Sequence, residues 1–132
     1  MSWHKLVDNP KAIAHLYNDI PPLHGMEVIA IKLNRDGPMV RMEMDFPVFA
    51  DHRPHRWSQQ WNTVAMQLDF IGVTGLKIGG LDTSPVLDFA IQKQETGLLV
   101  EAAGGGMSIH FQCENIYIQA VTGYTNIERA SS

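Results

Sequence analysis

The sequence predicts an α+β protein that is mainly β: one N-terminal helix packed on an antiparallel meander of about eight strands, forming a curved sheet or a sandwich. Three observations carry this. Apolar and polar residues alternate in run after run from Ile29 onward, the period of a strand with one dry face. The runs are separated by short Gly, Asp and Pro clusters, which suit tight turns between antiparallel neighbours and leave no room for crossover helices. Helical spacing occurs once, near the start. The 132 residues are read as a single domain, 1–132, long enough to bury a real core.

Asn9-Pro10 marks a helix start, because Asn caps free amides and Pro suits the first helical position. Ala12, Ile13, Leu16 and Tyr17 follow at helical spacing, and Pro21-Pro22 ends the pattern, so the helix is expected from about Pro10 to Asp19. Ile29, Ile31 and Leu33 alternate with Ala30 and Lys32. After the Asp36-Gly37 turn, Val40, Met42, Met44 and Phe46 do the same, giving a hairpin with one wet and one dry face.

Arg56 to Gly80 is the stretch around which the rest is expected to fold. It opens with Trp57 and Trp61. Val64, Met66, Leu68 and Phe70 then form the strongest strand pattern in the chain. A turn at Gly72 to Gly75 leads to Leu76, Lys77 and Ile78 and ends at Gly79-Gly80, a hairpin expected at the middle of the sheet. After a turn from Gly79 to Pro85, further inward-facing sets are Leu87/Phe89/Ile91, Leu98/Val100/Ala102, Ile109/Phe111/Cys113 and Ile116/Ile118/Ala120. Asn126 to Ser132 reads as a frayed tail.

Ten Lys+Arg against fourteen Asp+Glu give a charge of −4, which offers no bulk attraction to nucleic acid or to an anionic membrane. The N-terminus lacks the pattern of a secretory signal and no run is long enough to span a bilayer, so cytoplasmic residence is expected. Cys113, the one cysteine, lies on an apolar strand face with His110 pointing the other way, which fits a buried structural thiol better than a nucleophile. His52 and His55 lack the Cys or carboxylate partners of a zinc site. Gly104-Gly105-Gly106 leads into a strand and not into the helix that a phosphate loop needs. These patterns point to no catalytic residue, no metal and no cofactor.

Two surface features remain. Leu81 to Glu101 holds Asp82, Asp88, Glu95 and Glu101 against Lys93 alone, an ordinary solvated face or an anionic patch for a basic partner. Pro47 to Gln60 is the longest irregular stretch, and loops of this kind are often functional. His52, Arg53, His55, Arg56 and Trp57 concentrate there the residue types that dominate protein–protein hot spots, and they are the candidate partner-binding residues. Trp61, beside a strand, reads as a core anchor, whereas Trp57 fits either role.

Trp3-His4-Lys5-Leu6, the Asn9-Pro10 start, the Arg35-Asp36-Gly37-Pro38 turn, Trp57 with Trp61-Asn62-Thr63-Val64, and Phe70-Ile71-Gly72-Val73 with Leu76 and Gly79-Gly80 together resemble the immunity protein 50 family of bacterial polymorphic toxin systems. The resemblance spans Trp3 to about Tyr124 and rests on turns and tryptophans rather than catalytic signatures. It implies a small cytoplasmic protein that binds and neutralises a cognate toxin by protein–protein interaction. It supplies no catalytic residues. The loop His52-Arg53-Pro54-His55 follows no fixed pattern, and a loop of that kind is where toxin choice would be encoded. Two other readings are a small-molecule binder with a pocket lined by Met42, Met44, Met66 and Phe70, and an enzyme using His52 and His55. An exposed edge strand could also pair with a copy of itself, so a homodimer is compatible with the sequence.

Overall fold

The computed structural model describes residues 2–83 and 85–130. Among them the alternating runs form eight strands: β1 (Met26–Asn34), β2 (Met39–Asp45), β3 (Thr63–Ile71), β4 (Thr74–Gly79), β5 (Val86–Lys93), β6 (Leu98–Gly104), β7 (Met107–Cys113) and β8 (Asn115–Tyr124). All pairs are antiparallel and belong to one sheet, ordered β4-β7-β6-β5-β1-β2-β3-β8. The protein is thus mainly β. The dry faces of β2 (Val40, Met42, Met44, then Phe46) and β3 (Val64, Met66, Leu68, Phe70) are fully or almost fully buried, as the alternation requires. Leu87, Phe89, Val100, Ile109, Phe111, Cys113, Ile116 and Ile118 join the same core.

The sheet consists of two four-strand parts. β1-β2-β3 and β5-β6-β7 are consecutive meanders, and they join only where Met26 and Glu27 of β1 pair with Leu87 and Val86 of β5. The remaining strands leave their chain neighbour: β4, after β3, pairs with β7, and β8, after β7, pairs with β3. This overturns the hairpin expected at the centre of the sheet. β3 is interior, between β2 and β8, but β4 does not pair with it and lies at the opposite edge. The cause is at the turn. The N–H groups of Gly72 and Val73 both donate to Pro38 O, and Glu114 N–H donates to Ile71 O, so the chain is pinned to β2 and β8 as it leaves β3. Gly72 has φ +71°, and a Cβ there would fall 2.5 Å from the Glu114 side chain, so the turn needs glycine. Phe70 and Phe111 meet edge to face at 5.0 Å, uniting side chains from the two parts.

Three other expectations change. The helix over Pro10 to Asp19 is reduced to one turn, α1 (Lys11–Ala14), preceded by a 3₁₀ turn at Trp3–Leu6. Asn9 does not cap it. Its side-chain amide donates to Ile118 O and accepts from Ile118 N–H, so it replaces a strand along the edge of β8. Tyr17 is then drawn out of helical geometry by its hydroxyl bond to Val48 O, and Asn18 by its N–H bond to Asp51. Tertiary bonds thereby override a short helix that is marginal by itself. In β1 the register shifts between Val28 and Ala30, so Met26 and Val28 are buried while Ile29 and Leu33 stand exposed. A second shift, in the β3–β8 ladder between Gln67 and Leu68, leaves Ala120 exposed and carries β8 on to Tyr124. The tail is ordered as far as α2 (Ile127–Ala130), whose first turn is capped by Asn126 Oδ1 accepting from Glu128 N–H. Ser131 and Ser132, and Ser84 in the turn before β5, lie outside the described residues.

Candidate functional site

The loop between β2 and β3 is built from inside outward. Trp57 is 5% exposed, lying 6.0 Å from the Phe49 ring and 5.8 Å from Trp61. Gly123 of β8 makes room for both indoles, since a Cβ there would come within 2.9 Å of each. Trp57 is therefore an anchor of the loop rather than part of its surface. Arg53 is committed as well. Its guanidinium lies 4.9 Å over the Phe49 ring and donates to Ser58 O (2.7 Å) and Trp61 O (3.2 Å). Two tight turns, closed by Trp57 N–H to Pro54 O and Trp61 N–H to Ser58 O, complete the frame.

Of the five candidate residues, His52, His55 and Arg56 are exposed. His52 is tethered: its N–H donates to Leu16 O, and Nε2 lies 2.5 Å from Asn18 Oδ1. The loop so presents imidazole and guanidinium groups on a backbone held by an aromatic cluster, a geometry suited to contacting carboxylates and π-faces of a partner.

Beneath the loop is a buried polar pair that sequence reading missed. Asp45, 1% exposed, accepts a short hydrogen bond from the Tyr124 hydroxyl. Burial raises the Asp45 pKa, partly offset by the Tyr124 bond and by Arg129. Burial, then Asp45, pushes Tyr124 up to about 12. Arg129 donates to Phe46 O, so the pair and α2 together fasten the chain end to the start of the loop. Asp45 and Tyr124 are 79 residues apart, and no local pattern links them. On the wet face of the same part of the sheet, Arg41 holds Asp69 through two bonds of 2.6 and 2.9 Å, and Gln67 donates to Glu43.

Within the acidic run between Leu81 and Glu101, Asp88 and Glu101 lie diagonally across the β5–β6 ladder and line one groove. Asp88 accepts Gly25 N–H, and Glu101 faces His110 across the β6–β7 ladder at 3.7 Å, with Lys77 next in line on β4. Cys113 is buried, and burial raises its thiol pKa to about 12, so it is inert as a nucleophile near neutrality. Met42, Met44, Met66 and Phe70 are packed in the core, fully or almost fully buried. Among the described residues no group of three or more His, Cys, Asp or Glu is placed to hold a metal ion, and no helix is long and apolar enough to cross a membrane.

Fold and site thus define a small antiparallel β protein whose polar clusters fasten loops and chain ends to the sheet. The family model for Immunity protein 50 matches residues 9–124, and the chain belongs to that family. No curated protein and no solved structure matched.

Proposed function

We propose that this protein is a cytoplasmic bacterial immunity protein that binds a cognate toxin and neutralises it by protein–protein contact, without catalysis of its own. Membership of the Immunity protein 50 family across residues 9–124 carries this reading. The β2–β3 loop supports it as one contact surface: His52, His55 and Arg56 are displayed, while Arg53 and Trp57 fix the backbone that displays them. A loop backbone held in this way loses little freedom on binding, which favours slow dissociation. The charge of −4 adds electrostatic attraction to a basic partner.

The test is to mix the purified chain with the product of the adjacent toxin-like reading frame and to co-express the two. A one-to-one complex and rescue of growth are expected; neither forming would sink the reading. A His55→Ala, Arg56→Ala double variant is expected to keep its fold and lose about tenfold or more in affinity. Unchanged affinity would remove the loop from the interface.

A further inference from the structure

β1 has two neighbours of very unequal extent. β2 accompanies it from Glu27↔Asp45 to Asn34↔Met39, whereas β5 meets it only at Met26 and Glu27, followed by Val28 N–H donating to Pro85 O. From Ile29 to Asn34 the side of the strand away from β2 has no strand partner among the described residues.

The other two edges of the sheet are guarded. Along β8, Asp8 N–H donates to Ile116 O and the Asn9 amide occupies both backbone groups of Ile118. β4 is short, has an irregular register against β7, contains Gly75 and Gly79, and exposes Lys77, all features that discourage pairing. The open stretch of β1 carries Lys32 and follows the register shift at Ile29, but no segment among the described residues covers its backbone as Asp8 and Asn9 cover β8. It borders instead a groove of about 430 Å³ lined by Ile29, Ile31 and Leu33, by Ile78 of β4, and by Leu81 and Asp82 beyond it. Ile29, Leu33 and Leu81 are 53%, 60% and 74% exposed. An apolar concentration of this kind marks a contact site on a soluble protein. Asp82 is the one charged side chain in the lining.

We infer that this edge receives an extended segment of the toxin as an added strand, apolar at alternate positions and carrying a Lys or Arg that meets Asp82. The inference rests on the reading above that the partner is a toxin. The main chain of Ile29 to Asn34 supplies the ladder bonds, every second side chain of the incoming segment enters the groove, and the charge pair sets the register. Leu81, Asp82 and Pro85 complete the lining of the groove.

The test follows backbone amides of the full-length chain by hydrogen exchange, with two probes. One is an inactive variant of the adjacent frame's product. The other is a synthetic peptide, acetyl-Lys-Val-Thr-Val-Thr-Val-Thr-amide. The toxin is expected to protect amides within residues 29–34, and L33K and D82K to weaken the complex, L33K by about tenfold or more, while both variants stay folded. The inference is overturned if the toxin binds without protecting those amides, if L33K binds like the original chain, or if the free protein is a dimer that L33K dissolves, which would assign the edge to a second copy. Failure of the toxin to bind at all defeats the functional reading instead. The edge is then judged by the peptide: protection of the same amides keeps the strand slot, and absence of protection removes it.

Discussion

The β2–β3 loop and the open edge of β1 are opposite solutions to displaying a surface. The loop has no regular hydrogen-bond ladder, yet its backbone is held by an indole pair, an arginine fork and two tight turns. The edge belongs to a hydrogen-bonded strand, yet among the described residues one side of Ile29 to Asn34 has no strand partner and several large apolar side chains stand exposed. Irregularity in the backbone is therefore a poor guide to which surface is unsatisfied. The loop spends its distinctive residues on its own stability, and the edge keeps its own available.

The sharpest way to break this contrast is Trp57→Ala. Removing a buried indole is expected to cost about 3–5 kcal/mol of stability, read as a lower urea midpoint. A loss below about 1 kcal/mol would mean that the loop is not held from inside. Asn9→Ala follows in size. It leaves the N–H and C=O of Ile118 without their partner and should cost about 1–3 kcal/mol. It should also open the guarded β8 edge, so concentration-dependent association in sedimentation is expected of this variant.

Alkaline titration gives a third measure. Cys113 and Tyr124 both have folded pKa values raised to about 12, chiefly by burial. A raised pKa contributes stability that is complete below the unfolded value and is lost as pH climbs through the folded one. Stability is therefore expected to fall from about pH 9 upward, where unfolded thiol and then phenol begin to ionise. Cys113→Ala should flatten the first part of that fall; an unchanged slope would mean the thiol is not protected. In the same sense Cys113 should react with a disulfide reagent only as fast as the protein opens. Smallest of all, Leu33→Lys should change stability by no more than about 0.5 kcal/mol, because the residue is mostly exposed. That near-zero value, beside the large one for Trp57, separates a surface held in reserve from one already in use.

Much of this fold was legible in the sequence because alternation reports which side of a strand is dry. Val40 to Phe46 and Val64 to Phe70 read correctly for that reason. Alternation does not report which strand is a neighbour, so the exchange of β4 and β8 between meanders went unseen. Nor does it survive a bulge: one inserted residue at Ile29 turned an expected inward triad partly outward. Asn9 was misread because a capping residue and an edge-covering residue carry the same amide, and only its distant partner distinguishes them. At the site, the loop was visible as a break in rhythm. The inward commitment of Arg53 and Trp57, and the Asp45–Tyr124 pair, depend on long-range contacts that no spacing encodes.

The exchange of β4 and β8 also governs when the protein can close. As the chain leaves the ribosome, β1, β2 and β3 can assemble locally, but β3 keeps a bare side until β8 is synthesised. The final clasp, Asn9 to Ile118, joins residues 109 positions apart. Pairings of such separation are slow to form, so Val64 to Phe70 stay partly uncovered until β8 is made. Folding is thereby tied to the completion of β8, and truncation before Tyr124 should abolish the fold rather than trim it.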